Sequence, residues 1–527
     1  MARQDPVTAT APADQAHRGA FSSRKVFILA AIGSAVGLGN IWRFPYVAYE
    51  NGGGTFVIPY LVALVCAGLP FLLLDYAIGH RYRGSAPLSF RRMSRTGEVL
   101  GWWQVGICAV IAVYYAVIIA WAVRYTGFSV TNAWGADPNG FFFGDFLQVA
   151  EPGVGLDVVP GVLVPLALVW VAVLVILWLG VQRGIGAASV VFIPLMVVAF
   201  LALVVRALFL PGAAQGLEAL FTPDWAALGE TGVWAAAFGQ IFFSLSVGFG
   251  IMITYSSYVG RRTDMTGSGL VVGFSNSGFE LLAGIGVFAA LGFMAQAAGV
   301  GVDEVATSGL GLAFIAFPAI ISEAPAGTLI GVLFFGTLVL AGLTSLISVV
   351  EVVISGVRDK LDLSRTAATL VVVVPAATIS VLLFATTTGV PILDTVDHFI
   401  NRFGILLVAV VTVVLVAWVY RALPDLRAHL NVTTSFPLGR WWIVLVGGLI
   451  PFVLTFVLVQ EVRDVLAAPY GGYPDWLVTF LGWGTALAVV LVAVVATLLP
   501  WSSRTPLDPP EPLTAAAGSR TDTEADR

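Results

Sequence analysis

Between residues 26 and 499 the chain is a succession of long apolar runs with few charges inside them, and nothing else in the sequence limits its fold so tightly. A helix needs ~20 predominantly apolar residues to cross the hydrocarbon of a bilayer. Inside hydrocarbon every peptide group must find its partner within the protein, which leaves helices and closed barrels, and these runs are too long for barrel strands. Runs near 26–48, 56–80, 103–128, 160–180, 187–209, 234–259, 269–298, 328–359, 367–386, 395–420, 440–460 and 475–499 predict an all-α polytopic membrane protein with 12 transmembrane helices. With 58% hydrophobic and 11% charged residues, a soluble globular domain is excluded. The expected organisation is an N-terminal tail over 1–20, one transmembrane domain over 21–500, and a C-terminal tail over 501–527, both tails disordered by composition. Residues 1–20 lack the apolar centre of a secretory signal.

Basic residues test the orientation independently. With both termini cytoplasmic, all but five of the 26 Lys and Arg residues fall on the inner side, the exceptions being Arg43, Arg124, Arg206, Arg402 and Arg463. That asymmetry is the positive-inside pattern, and it predicts a multi-pass protein of the cell (inner) membrane. Two long outer connections follow, 129–159 and 299–327, the second with an apolar middle too short to span, as in a lid of short helices. Nucleic acid has no basic patch to bind. The four histidines are scattered, and no nucleophile–base pair or phosphate loop is evident, so an enzyme is not expected. Cys66 and Cys108 lie in apolar runs as small core residues.

Two runs are interrupted. The first carries Gly33-Ser34-Ala35-Val36-Gly37-Leu38-Gly39-Asn40 at its centre, and the sixth carries Ser244-Leu245-Ser246-Val247-Gly248-Phe249-Gly250. Glycine costs about 1 kcal/mol against alanine within a helix, and unpaired peptide groups in hydrocarbon cost several more. Breaks in corresponding positions five helices apart predict an inverted repeat, about 21–210 and 234–420 with helices 11–12 at about 440–500, and ions and a polar solute at the breaks.

The stretch Gly33 to Asn40, followed by Ile41-Trp42-Arg43-Phe44-Pro45-Tyr46 and Glu50-Asn51-Gly52-Gly53-Gly54, resembles the first-helix signature of the neurotransmitter:sodium symporter family. The resemblance continues through Gln240 to Gly250, Ala341-Gly342-Leu343-Thr344-Ser345, and Asp394 to Asp397. It implies a LeuT-like 5+5 inverted repeat with broken helices 1 and 6, and two Na+ sites. The first would use Ala35, Asn40, Ser244 and Asn276 with the substrate carboxylate. The second would use Gly33, Val36, Ala341, Thr344 and Ser345. Oxygen ligands suit a hard cation, and unwound backbone offers carbonyls that an intact helix keeps.

An α-carboxylate would rest on the N–H groups of Leu38 and Gly39 at the broken helix, where the dipole favours an anion, with the Tyr115 hydroxyl beside it. The amino group would meet carbonyls near Ala35, Phe243 and Ser246. Amine-carrying relatives have aspartate at the position of Gly37, so glycine implies a solute that brings its own carboxylate, an α-amino acid. Ile111, one turn before Tyr115, joins Phe243, Phe249, Ser345, Leu346 and Val349 in a wall that suits a hydrophobic side chain. Ser34 and Leu346 depart from the leucine-carrying bacterial relative, which leaves the amino acid open.

By the same resemblance, Arg43 and Asp397 form an outer gate and Arg18 and Asp359 an inner one, with Tyr258 capping the inner network. Glu280 lies four residues after Asn276, on the same helical face. Chloride-dependent relatives have serine there, with Tyr60, Gln240 and Ser244 around the anion, so a built-in carboxylate implies transport without chloride. The expected mechanism is alternating access, with helices 1, 2, 6 and 7 moving against the rest. Two alternatives remain at this stage: another carboxylated solute on the same scaffold, or a membrane amino-acid sensor that moves nothing.

Overall fold

The computed structural model describes residues 19–306, 309–467 and 470–513. Among them every regular element is helical, and only isolated bridges such as Val158 with Thr386 pair extended backbone. In chain order the helices that matter here begin with α1 (Arg24–Ala35) and α2 (Leu38–Glu50), followed by α3 (Gly54–Tyr82), the short connecting α4 (Ala86–Met93) and α5 (Arg95–Thr131). Then come α6 (Pro160–Trp178), α7 (Val181–Leu208), α8 (Thr231–Ser244), α9 (Ile251–Ser257) and α10 (Met265–Ala298). The remainder are α11 (Gly309–Glu323), α12 (Gly327–Leu361), α13 (Arg365–Phe384), α14 (Gly389–Val419), α15 (Leu423–Leu430), α16 (440–467) and α17 (Asp475–Leu498).

Ten of these are long and apolar enough to cross a bilayer, and α1 with α2 supply an eleventh span bent by 56°. The sixth span, 234–259, is broken where its glycines predict, into two pieces of 14 and 7 residues. Neither piece alone has the length of a span, because the glycine-containing stretch 245–250 leaves the helical path between them.

Burial orders the bundle. The most apolar windows of α5 and α12 are each 72% buried and the two helices pack along their lengths, whereas only 17% of that of α17 is covered. The open faces of outer helices carry Val164, Leu168 and Val171 on α6 and Leu487, Leu491 and Val495 on α17. A continuous apolar surface of this kind is what a lipid-facing protein presents. On the predicted outer side, the apolar helix α11 packs on α12, and its Phe314 stacks on Phe142 of the 129–159 connection at 5.1 Å.

At the opposite end, residues 501–513 depart from the disordered tail that their composition predicts. Trp501 donates its indole N–H to Glu98 at 2.9 Å, and Lys360 pairs with the same carboxylate at 2.6 Å, both charged groups being buried. Farther along, Arg92 reaches the Pro506 carbonyl at 2.7 Å and Arg81 the Pro510 carbonyl at 2.7 Å. A proline-rich strand has little conformational freedom to lose and offers unblocked carbonyls, which arginines can collect. Nearby, His80 Nε2 faces the Gly260 carbonyl at 3.0 Å and is therefore protonated. His80 Nδ1 must then accept, and His429 on α15 donates to it across 2.9 Å. Burial, His80 and the surrounding Arg81, Arg261 and Arg83 push the His429 imidazole down to about 3.

Candidate substrate and ion site

The break between α1 and α2 is held open from within. Asn40 accepts the Gly37 N–H at 2.8 Å, so the first free amides of α2, Leu38 and Gly39, begin a new helix at the centre of the bundle. Leu38 N–H lies 3.4 Å from the Tyr115 hydroxyl on α5. A side chain on Gly39 would meet the Phe243 ring at 2.2 Å, so glycine lets that ring close over the break. Between α8 and α9, Ser246, Gly248 and Gly250 take left-handed angles of 53°, 83° and 89°. Glycine adopts such angles without strain, which explains its place at 248 and 250.

These breaks border a cavity of about 90 Å³. Of the predicted substrate residues, Ala35, Leu38, Gly39, Ile111, Tyr115, Phe243, Ser246, Phe249, Ser345 and Val349 line it. Leu346 does not: it is fully buried and outside the lining. Consecutive helix residues point about 100° apart, so with Ser345 and Val349 on the cavity face, Leu346 turns into the packing. The pattern did not single out Tyr114, Ile251, Asn401 and Ile405, which also line it. The last two lie on α14, whose sequence has no glycine-rich break to draw attention to them.

Below Gly37 the predicted first cation residues share one hydrogen-bonded chain. Asn40 donates to the Asn276 carbonyl oxygen at 2.9 Å, Asn276 donates to Ser244 at 3.1 Å, and Ser244 donates to Glu280 at 3.4 Å. Gln240 donates to the other Glu280 oxygen at 2.7 Å, and the Tyr60 hydroxyl donates to the carboxylate as well. All six side chains are buried. Asn40, Asn276 and Ser244 present neutral oxygens around the break, a donor set that suits Na+. Glu280 is the one carboxylate in this hydrogen-bonded network, and three donors converge on it.

The second predicted set is also brought together in part. Ser345 on α12 donates toward the carbonyls of Gly33 and Ser34 at 3.4 and 3.3 Å, and Ser246 reaches the Ser34 carbonyl at 3.1 Å. Thr344 bonds back to the carbonyls of Leu340 and Ala341 at 3.0 Å. A Cβ on Gly33 would come within 3.3 Å of the Thr344 side chain, so Gly33, Ala341, Thr344 and Ser345 adjoin, and Val36 caps α1 beside them.

The gates differ from expectation. No ion pair joins Arg43 to Asp397 among the described residues: the guanidinium lies over the Phe243 ring at 4.5 Å, and Asn401 donates to Asp397 at 2.8 Å. Both border an outer vestibule of about 380 Å³, whose wall shares Tyr115 and Phe243 with the inner cavity. Each charge has found a nearer partner while the vestibule stands between them. Arg18 lies outside the described residues. Asp359 accepts the Ser85 N–H at 2.9 Å. Tyr258 donates to Glu351 at 2.7 Å, and Arg365 forks onto the same carboxylate with two bonds of 2.7 Å. Glu351 is fully buried and Arg365 half-buried, and an acid inside the 328–359 run is the pair's only signal in the sequence.

With this geometry established, comparison with known proteins places the chain. The family described as Sodium:neurotransmitter symporter family matches residues 18–139 and 136–504. The chain belongs to that family. It is 41% identical over 484 residues to an uncharacterized sodium-dependent transporter of Methanocaldococcus jannaschii, covering 92% of this chain and 97% of the relative. It is 32% identical to the sodium-dependent dopamine transporter of Bos taurus, over 94% of this chain and 77% of that one. The sodium- and chloride-dependent taurine transporter of Rattus norvegicus is 31% identical, over 94% and 88%. Membership makes this a multi-pass membrane protein of a sodium-dependent symporter family.

Proposed function

We propose that the protein couples Na+ to the uptake of a hydrophobic α-amino acid by alternating access, without chloride, across the cell membrane with both termini inside. The observation that carries the substrate class is at Gly37. A Cβ there would approach Ser345 Oγ to 3.0 Å and the Tyr115 hydroxyl to 3.3 Å, so the position opens between the donors an anion would use. Without a protein carboxylate at this point, the solute supplies it, with Leu38 N–H, Gly39 N–H and Tyr115 as donors. Ile111, Phe249, Ile251, Val349 and Ile405 leave an apolar space for the side chain. Na+ would occupy the Asn40–Asn276–Ser244 oxygens beside that carboxylate and, separately, the Gly33–Ser345 corner, so the first ion and the solute each strengthen binding of the other.

Relatives named for taurine carry the words sodium- and chloride-dependent. Here the three donors that would surround an anion, Tyr60, Gln240 and Ser244, already hold the Glu280 carboxylate. Proteoliposomes with an inward Na+ gradient test the proposal. Uptake of leucine-like or aromatic amino acids, unaffected when gluconate replaces chloride, is the expected result; Na+-dependent uptake of amines in preference to amino acids would overturn the substrate class.

A further inference from the structure

The unwound stretch 245–250 is braced by side chains from two neighbouring helices. Asp75 on α3 accepts the Gly248 N–H at 3.0 Å, and Cys108 on α5 donates its thiol to the Phe249 carbonyl at 3.1 Å. One turn earlier on α5, Gln104 is fully buried, and among the described residues neither its amide nitrogen nor its oxygen has a partner. Its Oε1 would lie 3.3 Å from a Cβ placed on Gly250. Gln104, Cys108, Ile111 and Tyr115 follow an i, i+4, i+7, i+11 spacing and so share one face of α5. The later half of that stripe lines the cavity, and the earlier half meets the backbone of the segment whose Phe249 ring lines the same cavity.

A buried amide without partners forfeits its hydration and destabilises the fold, and a leucine of similar size would remove that cost. Such a cost persists where a moving or ligand-bearing segment makes use of the group. We propose that Cys108 and Gln104 are positioning residues for the broken sixth segment. Cys108 fixes Phe249 and with it the length of side chain the cavity admits. Gln104 is the partner that the peptide groups around Gly250 take up when the segment shifts during transport. This rests on the amino-acid symport reading above.

The test uses full-length protein in proteoliposomes, with a series from alanine to phenylalanine as substrates, and thermal melting of the same preparations. Cys108→Val removes the donor at nearly constant volume. It is expected to raise KM about fivefold for the longest side chains while alanine is unaffected and kcat stays within twofold. Cys108→Ser, which retains a donor, is expected to restore the wild-type profile. Gln104→Leu is expected to raise the melting temperature while lowering kcat severalfold. An unchanged size profile in Cys108→Val overturns the role of Cys108. For Gln104, either a lower melting temperature or an unaltered kcat in Gln104→Leu overturns it. If the wild type takes up no amino acid, the symport reading fails, and the melting of Gln104→Leu still decides whether that amide carries an unmet cost.

Discussion

Asn40 and Asn276 join amide to amide at 2.9 Å, tying the broken first segment to α10 at the level of the cavity. Through Ser244 the same chain of bonds ends on Glu280, so one buried carboxyl group is linked by hydrogen bonds to the candidate cation site. Replacing Glu280 by serine leaves Tyr60, Gln240 and Ser244 as three converging donors without an anion. Glu280→Ser is expected to lose most Na+-driven uptake in gluconate and to regain it with chloride, while the wild type is indifferent to the exchange. Uptake by Glu280→Ser that ignores chloride would sink the electrostatic account.

Gly37 gives a second prediction. A methyl group there meets Ser345 Oγ and the Tyr115 hydroxyl at 3.0 and 3.3 Å. Gly37→Ala should weaken amino-acid binding at least tenfold, about 1.4 kcal/mol, with little loss of melting temperature, because the atoms it crowds are side-chain ends bordering the cavity that can give by a few tenths of an ångström. Equilibrium binding of a labelled amino acid measures it, and unaltered affinity would separate Gly37 from the solute.

Helix packing supplies a third. A Cβ on Gly79 of α3 would stand 1.9 Å from the Ile253 carbonyl oxygen and 2.1 Å from Ser256 Oγ, whereas one on Gly127 of α5 meets nothing within 4 Å. Gly79→Ala therefore forces α3 and α9 apart and should destabilise the protein by about 2–3 kcal/mol. Gly127→Ala should gain up to about 1 kcal/mol from helix propensity. Melting curves in one detergent that rank the two variants the other way would contradict the α3–α9 contact.

The Lys360–Glu98 pair is buried on both sides, 2.6 Å apart. Lys360→Ala leaves Glu98 with the more distant Arg91 at 3.6 Å and the Trp102 and Trp501 indoles, an undercompensated buried charge, and the expected loss is about 2–3 kcal/mol. Adding Glu98→Gln removes the stranded charge, so the double variant should be more stable than Lys360→Ala alone. If the two losses simply add, the pair is not coupled in the way its geometry implies.

His429 predicts a pH effect. Its folded-state value of about 3 lies below the usual ~6.5 of an unfolded histidine. The unfolded chain therefore takes up a proton first as pH falls, and the stabilisation present above ~6.5 is lost progressively toward 3. The melting temperature should decline across that window, and His429→Gln should make the decline shallower. An identical slope in both proteins would remove His429 as a cause.

The spans were legible because apolar length in a bilayer outweighs local propensity: ten runs became continuous helices, although α5 starts at Arg95 rather than 103 and the helix from Arg440 runs on past 460. The breaks were legible because Gly37, Gly248 and Gly250 are hard to reconcile with an uninterrupted span. The details that escaped depend on rotation and on distant partners. Leu346 follows Ser345 in sequence, yet one helical step turns it away from the cavity. Arg43 and Asp397 carry opposite charges at matching depths, but whether they meet depends on how far the vestibule stands open. Residues 501–513 look unstructured by composition, and it takes Arg81, Arg92 and Arg261, far away in sequence, to give their carbonyls somewhere to bind.

That last segment has a mechanical consequence. Its start is hydrogen-bonded to Lys360, at the end of α12, through the Ser502 N–H, and its Pro510 carbonyl is held by Arg81 at the end of α3. The eight peptide units between residues 502 and 510 reach at most ~25 Å in an extended polyproline form. A motion that parts the ends of α3 and α12 beyond that reach must break one of these anchoring bonds. A protease that cuts extended chain would then find, between Pro506 and Pro510, a stretch whose vulnerability reads out how far the two helix ends have separated.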